Sequence, residues 1–274
     1  MAFSIVHPSN QQLVWRPVLA ASTIYTGSLV STAAIDAPTD GVQVMPVAAG
    51  VSNTTAQFVP MGVCVGNNNV SGNTLYSSTY KTDYITATAA GSTYNSTTQY
   101  QGVEGPWSKG DTRAYVLVSL IDATTVLRAP LYNAAYGTPP TEATVTVGSG
   151  TDGIGCTSTA VEVATVSVFA TIYARTGKNA GIYRTMNSAS TTTHTWLHAM
   201  PRDMEIGDKI LCVGALPFGS CYVQTHSSGM FINTAATAAT DYFIVDVVRL
   251  DLSVAGKEYI EFRFNADNFT AIRA

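Results

Sequence analysis

The feature that most constrains the fold of this chain is a series of short apolar and β-branched runs, each bounded by Gly, Pro or Asn. Runs such as "GVQVMPVAAGV", "FVPMGVCVGNNN" and "RAYVLVSL" have the length and residue types of strands. Only 12% of the residues are charged, about half of the roughly 25% that is usual in globular proteins. Exposed helix faces are commonly built from Glu and Lys, which are scarce here. We therefore predict an all-β protein, built from β-barrel or β-sandwich domains with Gly/Asn/Pro-rich turns and very little helix.

Two segments predict hairpins in detail. The stretch "RAYVLVSLIDATTVLRAPLY" reads as two strands around a turn at Asp122-Ala-Thr-Thr. Near the end, "DYFIVDVVRLDLS" and "KEYIEFRFN" alternate apolar and polar residues and are joined by a Gly-containing loop. In the first of these two strands the alternation changes face near Val248, which could mark a bulge.

The stretch "MGVCVGNNNVSG", residues 61–72, allows two interpretations, a catalytic or metal loop and a tight corner. Asn tolerates the left-handed backbone region, and its side chain can satisfy the polar groups of its own turn. Three consecutive Asn between Gly66 and Ser71-Gly72 therefore predict a corner between two strands.

A change in composition predicts two domains. The stretch "NAAYGTPPTEA", residues 133–143, suits neither a helix nor a strand because Pro lacks the backbone donor that both need. We place the boundary there, with an N-terminal β domain over residues 1–134 and a C-terminal β domain over 135–274. The segment "FSIVHPSNQQLVWRP" is predicted to be an extended N-terminal arm of the first domain.

Catalytic and ligand-binding motifs are weak in this sequence. The formal net charge is −4, and the 14 Lys and Arg are scattered, so we expect no direct binding of nucleic acid. His194 and His198 in "HTWLH" are four residues apart, but the Thr-rich flanks favour a strand, in which these side chains would lie about 13 Å apart. There is no GxSxG elbow and no GK[ST] after "GSGTDGIG". We therefore predict a protein that is not an enzyme and has no cofactor or metal, although a pair of carboxylates in a groove stays open as a hydrolase alternative.

The cysteines and the N-terminus bear on the compartment. The opening residues lack the basic start and apolar run of a secretory signal, and no window approaches a membrane span. We expect synthesis in a reducing cytoplasm, no membrane association and unpaired core thiols at the four cysteines. The alternative is a pair across a hairpin between Cys212 and Cys221.

The order of segments resembles the tailed-phage capsid decoration (cement) proteins and related phage head proteins. The resemblance is carried by "TIYTGSLVS", "GVQVMPVAAG" and "FVPMGVCVGNNN" in the first half and by "YARTGKNAGIYRTMNSASTTTHTWLHAMPRDMEIGD" in the second. The run from Arg175 to Arg184 is its most distinctive part. The resemblance covers about two-thirds of the chain and rests on patterns; the long second half departs from the simpler cement proteins, which are a single small β domain.

The resemblance implies a virion structural protein that binds the outer surface of a phage capsid and stabilises the shell. Its partners would be the major capsid protein and neighbouring copies of itself, as a homo-oligomer such as a trimer. Candidate contact residues are Trp15, Arg16 and Arg184, since Trp and Arg are enriched at dominant contacts. The "YRTM" and "RLDLS" segments could in addition extend an edge strand into a partner.

Two alternatives stay open at this point. The first is another virion shell or tail-tube component; a major capsid protein of this type would need a long amphipathic helix, for which no window shows the period. The second is a carbohydrate-binding β-sandwich module, in which Trp107, Trp196 or some of the 14 tyrosines would stack on sugars.

Overall fold

The structure is a computed structural model, and it confirms the all-β prediction: the regular elements that it describes are twenty strands and two short 3₁₀ helices. The 3₁₀ helices are Gly177–Asn179 and Ala266–Phe269. The described residues are 2–7, 12–18, 22–32, 44–46, 60–67, 75–86, 115–132, 140–149, 153–161, 170–188, 190–214, 219–225, 229–233 and 243–269.

The chain divides into two compact units, and the first is not continuous in sequence. Unit 1 comprises residues 1–129, 225–231 and 263–274, and unit 2 comprises residues 130–224 and 232–262. The sequence-based boundary lies at residue 134. The two later segments of unit 1 had no counterpart in the prediction, because nothing local in a sequence reports a return of the chain to an earlier unit.

Unit 1 contains a five-stranded and a three-stranded sheet. Its strands are β1 (Ser4–His7), β2 (Leu13–Pro17), β3 (Thr23–Tyr25), β4 (Leu29–Thr32), β5 (Val44–Pro46), β6 (Pro60–Asn67), β7 (Tyr76–Ser77), β8 (Thr82–Thr86) and β9 (Tyr115–Leu120). The five-stranded sheet has the order β2-β9-β6-β4-β5, and the three-stranded sheet has the order β3-β8-β7. β1 pairs antiparallel with the first residues of β10 (Val126–Tyr132).

The core of unit 1 forms between these two sheets. Ile24 and Ile85, which are cross-strand partners in the small sheet, are both fully buried. They join Val30, Cys64 and Val116 from the larger sheet in one apolar cluster. The strand alternation of period two supplies one apolar face from each sheet, as the sequence pattern predicts.

Unit 2 contains a closed six-stranded barrel. Its strands are β11 (Glu142–Val147), β12 (Gly155–Ser158), β13 (Thr171–Ala174), β14 (Tyr183–Ser188), β15 (Thr193–Trp196) and β16 (Lys209–Val213), in the order β11-β12-β15-β14-β13-β16, with β16 returning to β11. Closure pairs every barrel strand on both sides, so the barrel has no strand edge.

The barrel interior is filled by side chains. Trp196, Met186 and Ile210 are each at most 1% exposed, and the indole Nε1 of Trp196 donates to the carbonyl oxygen of Gly153 at 2.8 Å. In β13 all four residues are buried, so this strand is covered on its outer face as well. The interior is therefore a packed core rather than a channel.

A second sheet of unit 2 has the order β10-β18-β17-β19-β20. Its further strands are β17 (Gly219–Thr225), β18 (Ile232–Asn233), β19 (Phe243–Asp251) and β20 (Tyr259–Phe264). In β19 Phe243, Val245 and Val247 are buried, Val248 and Arg249 are exposed, and Leu250 is buried again, which confirms the predicted change of face.

The second sheet and the barrel of unit 2 are linked by a buried arginine. The side chain of Arg175 is 6% exposed; it lies 2.6 Å from Glu258 and 3.0 Å from Glu142, and it donates to the carbonyl oxygen of Leu252 at 2.9 Å. The Glu258 side chain is 1% exposed, and its Oε2 has no hydrogen-bond partner. Arg175 is thus the counter-charge of a buried carboxylate.

Several sequence predictions can be compared with these elements. β9 and β10 flank the predicted turn, where Asp122 Oδ1 accepts from the Thr124 amide at 2.9 Å and from the Thr125 hydroxyl at 2.9 Å. In the described part of the predicted N-terminal arm, residues 4–7 and 13–17 are strands paired within sheets. The Asn corner falls largely on residues 68–74, outside the described residues; β6 ends at Asn67, where that corner was predicted to begin.

Candidate protein-contact site

β2 positions two of the three predicted contact residues, Trp15 and Arg16. It lies at the end of the five-stranded sheet, where it pairs with β9 in the register Trp15↔Leu117 and Arg16↔Val116. Val14 packs against the core, so Arg16, two residues further, lies on the core side of the strand. Leu13 and Trp15 lie on the opposite face, where Leu13 is 53% exposed and Trp15 is half-buried.

Arg16 leaves much of its hydrogen-bonding capacity unused. Its Nη1 donates to the carbonyl oxygen of Trp15 at 3.3 Å, and its Nε is buried without a hydrogen-bond partner. A guanidinium carries five N–H donors, and a buried unmet donor costs about 1–3 kcal/mol. A cation with unused donors on an end strand is suited to a carboxylate or carbonyl acceptor on a partner.

Arg184, the third predicted contact residue, is engaged within unit 2. Its Nε donates to the carbonyl oxygen of Ala199 at 3.0 Å, and its Nη1 donates to that of Tyr183 at 2.8 Å. The structure therefore places Arg184 as a support of the loop after β15.

The two segments predicted to extend an edge strand do not have open edges. The "YRTM" segment lies in β14, which is paired with β13 and β15 in the closed barrel. In the "RLDLS" segment, the carbonyl oxygens of Leu250 and Leu252 accept from Tyr183 and Arg175. The prediction for "YRTM" is wrong because the barrel is closed, and closure cannot be read from the local strand pattern. The prediction for "RLDLS" is wrong because β19, in which this segment begins, lies between β17 and β20.

The distinctive run 175–184 has a structural role. Asn179 is fully buried; its side-chain amide donates to the carbonyl oxygen of Arg202 at 2.7 Å and accepts from the Arg202 amide at 3.0 Å. Gly177 has a φ of +77°, and a Cβ at this position would lie 2.1 Å from Asp208 Oδ1. The run therefore joins the turn between β13 and β14 to the segment that precedes β16.

His194 lies in β15, as the strand interpretation predicts, whereas His198 follows the strand and is exposed. The Nε2 of His194 lies 2.7 Å from the Ser158 hydroxyl, and that hydroxyl donates to the carbonyl oxygen of Thr159 at 2.7 Å. With its proton committed to Thr159, Ser158 accepts from His194 Nε2, so the histidine does not act as its base. Both residues are at most 3% exposed, and burial lowers the pKa of His194 to about 4.

The buried cysteines are poor nucleophiles. Burial raises the pKa of Cys64 to about 12, and burial together with the charge of Asp208 raises the pKa of Cys156 to about 12. Cys212 is 1% exposed in the barrel core. Cys64, Cys156 and Cys212 are buried and form no disulfide, which confirms the predicted core thiols at these three positions. The alternative pairing of Cys212 with Cys221 is therefore wrong.

A set of exposed apolar side chains at one end of the barrel was missed by the sequence reasoning. They are 42–75% exposed and are Val147, Ile154, Leu197 and Ile206. Val147, Ile154 and Ile206 each stand between polar or small residues in the sequence, and Leu197 follows Trp196 at the end of a strand, so no periodicity signals them. Only the pairing of the barrel strands brings them to one end.

Within the described ranges, no group of three or more His, Cys, Asp or Glu side chains could hold a metal ion. Of the helical segments that the structure describes, none is long and apolar enough to cross a membrane. Comparison with protein-family models, curated proteins and solved structures finds no match to this chain.

Proposed function

We propose that this protein is a virion structural protein that binds the outer surface of a phage capsid and stabilises the shell. It is synthesised in the host cytoplasm, and its partners are the major capsid protein and neighbouring copies of itself. The proposal starts from the resemblance of the sequence to decoration proteins. The structural observation that supports it is the surface of β2.

At that surface, Arg16 has a buried Nε without a partner, and Leu13 is 53% exposed on an end strand. An acceptor supplied by another protein would satisfy the guanidinium at the end strand, and exposed Leu13, on the opposite face of β2, would give a separate apolar contact. Arginine is among the residues that dominate protein interfaces for this reason. Covering such a surface adds buried area between neighbouring subunits, which is the means by which a bound protein stiffens a shell.

Co-sedimentation tests the proposal directly. The purified chain is mixed with expanded, undecorated phage capsids, and unexpanded capsids serve as the comparison. We expect saturable binding in a fixed ratio to capsid subunits, weakened by added salt because an ion pair contributes. Absence of binding to either form would overturn the proposal.

A pair of variants locates the contact. Arg16→Gln removes the charge and should weaken capsid binding at least tenfold, since loss of one partner of a desolvated charge pair costs about 2–5 kcal/mol. Arg263→Gln is the matched control, because Arg263 is an exposed arginine on β20. Equal binding by the two variants would show that β2 is not the capsid-facing strand.

A role as another shell or tail-tube component gives a different outcome in this experiment. A major capsid protein or tube subunit would assemble with its own copies and would not saturate sites on finished capsids. The part of the chain that the structure describes contains no α-helix, and so does not include the long helix expected of a major capsid protein.

A carbohydrate-binding role is the second candidate, and one cluster favours it. On the outer face of the three-stranded sheet, the Tyr25 ring lies 4.7 Å from that of Tyr80 and 5.5 Å from that of Tyr84, and Tyr80 lies 5.8 Å from Phe231. Trp196 is 1% exposed and is not available for stacking, and Trp107 lies outside the described residues. Binding on a glycan array that is lost on Tyr84→Ala would support this candidate.

A further inference from the structure

β1 has an open edge in the described part of the chain. It pairs with β10 on one side, in the register Ile5↔Leu127, and it is the last strand of that sheet. On its other side, the Phe3 amide donates to the carbonyl oxygen of Gly27 at 3.0 Å. Alternate residues of a strand direct their N–H and C=O groups to the same side, so those of Ile5 also point away from β10. No described residue pairs with the Ile5 backbone on that side.

Gly27 marks a gap of one strand between β1 and β6. Its carbonyl oxygen accepts from Phe3, and its own amide donates to the carbonyl oxygen of Cys64 in β6 at 2.7 Å. Gly27 is therefore hydrogen-bonded on both sides, as a residue of a middle strand is. Since neighbouring strands lie about 4.8 Å apart, β1 and β6 are separated here by two such spacings, about 9.5 Å. The gap has the width of one extended chain.

Within the described residues, the chain fills this gap on one side of Gly27 only. On that side Ser28 leads into β4, and its carbonyl oxygen accepts from the Cys64 amide at 2.9 Å. On the other side, the turn at Gly27, which has a φ of +91°, takes the chain out of the gap. The Thr26 amide there donates to the carbonyl oxygen of Asp83 in β8. The space left between β1 and β6 is a depression of about 470 Å³.

This depression, called the strand slot below, has an apolar wall. It is bordered by Ser4 and Ile5 of β1, by Val63 and Val65 of β6 and by Thr82 of β8. Val65 is 41% exposed, whereas Val63 is 3% exposed. A segment lying in the slot would pair with the Ile5 backbone and cover the Val65 side chain. Backbone pairing combined with a side-chain contact is the way in which extended peptides add to sheet edges.

No charged side chain lines the slot. The charged residues nearest to its lining in sequence or register are Lys81 and Asp83, which flank Thr82, and Arg128, which is the cross-strand partner of Ser4. None of these three side chains borders the depression. Because burying an unpaired charge is costly, we expect uncharged residues where a bound segment passes between β1 and β6.

The width of the slot also restricts the source of the segment. Each strand that the structure describes is already paired with at least one neighbour. A strand that carries a neighbour cannot enter a gap of one strand's width, so none of these strands could fill the slot of a second copy. The segment that fits is one that is unpaired on both sides before it binds.

We propose that the strand slot binds an extended, uncharged peptide segment of a partner protein by strand addition. The segment pairs with the N–H and C=O groups of Ile5 and places an apolar side chain against Val65. This inference goes beyond the proposed function, because it is argued from the slot alone and holds for any partner that presents such a segment.

Selection of peptides by the full-length chain tests the proposal. The probe is a library of random heptapeptides, and the immobilised chain is compared with the bare support. We expect enrichment of uncharged sequences rich in Val, Ile and Thr, which favour an extended conformation. A selected peptide, made synthetically, should slow hydrogen exchange of the Ile5 amide at least tenfold, because a new hydrogen bond protects that group. Capsids take no part, so this test succeeds or fails independently of the proposed function.

Two variants locate the contact. Ile5→Pro removes the N–H that faces the slot and should weaken binding of the selected peptide at least tenfold. The ladder with β10 does not use that N–H, and proline is tolerated at such an edge. Val65→Asp places a carboxylate in the apolar wall and should weaken binding to a similar extent. Val254→Asp is the matched control, because Val254 is 51% exposed in the connection between β19 and β20. Circular dichroism confirms that each variant is folded.

Three results would overturn the proposal. The first is a selection in which no peptide is enriched over the bare support. The second is a selected peptide that binds Val65→Asp as tightly as the wild type, or that leaves hydrogen exchange at Ile5 unchanged, since such a peptide binds elsewhere. The third is self-association of the wild-type chain that is lost in Val65→Asp and kept in Val254→Asp, because a second copy would then fill the slot.

Discussion

Arg175 provides the sharpest test of how unit 2 is held together. Arg175→Met keeps the long side chain but removes the positive charge beside Glu258, whose side chain is 1% exposed. Removing one partner of a buried ion pair typically costs about 3–5 kcal/mol, because the remaining charge stays buried and unpaired. Glu142 is 30% exposed, so water replaces much of its lost contact with Arg175, and Glu142 adds little to the cost of the substitution. We expect the free energy of unfolding to fall by about 3–5 kcal/mol.

A double-mutant cycle isolates the pair. In Arg175→Met with Glu258→Gln both charges are gone, and buried ion pairs replaced in this way are often neutral in stability. We therefore expect the double variant to be more stable than Arg175→Met alone, with a coupling free energy of about 2 kcal/mol or more. Urea denaturation of the full chain, followed by circular dichroism and by tryptophan fluorescence, measures each variant.

Lys178→Met is the matched control, because it removes an exposed ion pair in place of a buried one. Lys178→Met removes the ion pair with Glu205, in which the two side chains are 64% and 57% exposed, and should change stability little. If Arg175→Met costs no more than Lys178→Met, or if the double variant is no more stable than Arg175→Met, the buried carboxylate is not what Arg175 stabilises.

Three further predictions concern the barrel and the thiols. Folding lowers the pKa of His194 from 6.5 to about 4, so as the pH falls the unfolded chain binds a proton before the folded protein does. The free energy of unfolding should therefore decrease as the pH drops from 6.5 to about 4, by at most about 3 kcal/mol. In urea titrations at each pH, His194→Gln should remove this dependence and His198→Gln should not. Gly177→Ala should lower the melting temperature far more than Gly181→Ala. Both glycines have a positive φ, but only at Gly177 would a Cβ meet Asp208. Equal shifts in melting temperature would contradict this reasoning. Cys64 and Cys156 should resist alkylation by iodoacetamide at pH 8 until the protein is unfolded, since burial raises their pKa values to about 12. Peptide mapping measures the modification, and rapid alkylation of either cysteine in the native protein would refute its burial.

Local features of the fold could be predicted from the sequence. The turn between β9 and β10 follows from the ability of Asp122 to accept from the two threonines after it, and the change of face in β19 follows from the alternation of its side chains. These features depend on residues close together in the chain, so a single sequence reports them. Closure of the barrel depends on the pairing of β11 with β16, about sixty residues further on, and no local pattern specifies that partner.

The candidate site was predicted only in part. Trp15 and Arg16 were singled out by residue type. The structure places them on an end strand, where the Nε donor of Arg16 has no hydrogen-bond partner. Arg184 was singled out by the same reasoning, but its hydrogen bonds to Ala199 and Tyr183 are internal. Residue type indicates what a side chain can do, whereas only the fold shows whether its donors are already in use.

The divided sequence of unit 1 has a consequence for synthesis of the chain on the ribosome. The buried Leu29 donates its amide to the carbonyl oxygen of Gly229 at 2.8 Å, and the Ser28 hydroxyl donates to the sulfur of Met230 at 3.4 Å. Residues 225–231 emerge about a hundred residues after the end of the first segment, a delay of roughly 5–20 s at about 5–20 residues per second. Until these residues are made, nascent unit 1 lacks the two contacts with Gly229 and Met230, so the N-terminal half is the part that needs protection from premature association. A fragment ending at residue 134 would lack these contacts permanently.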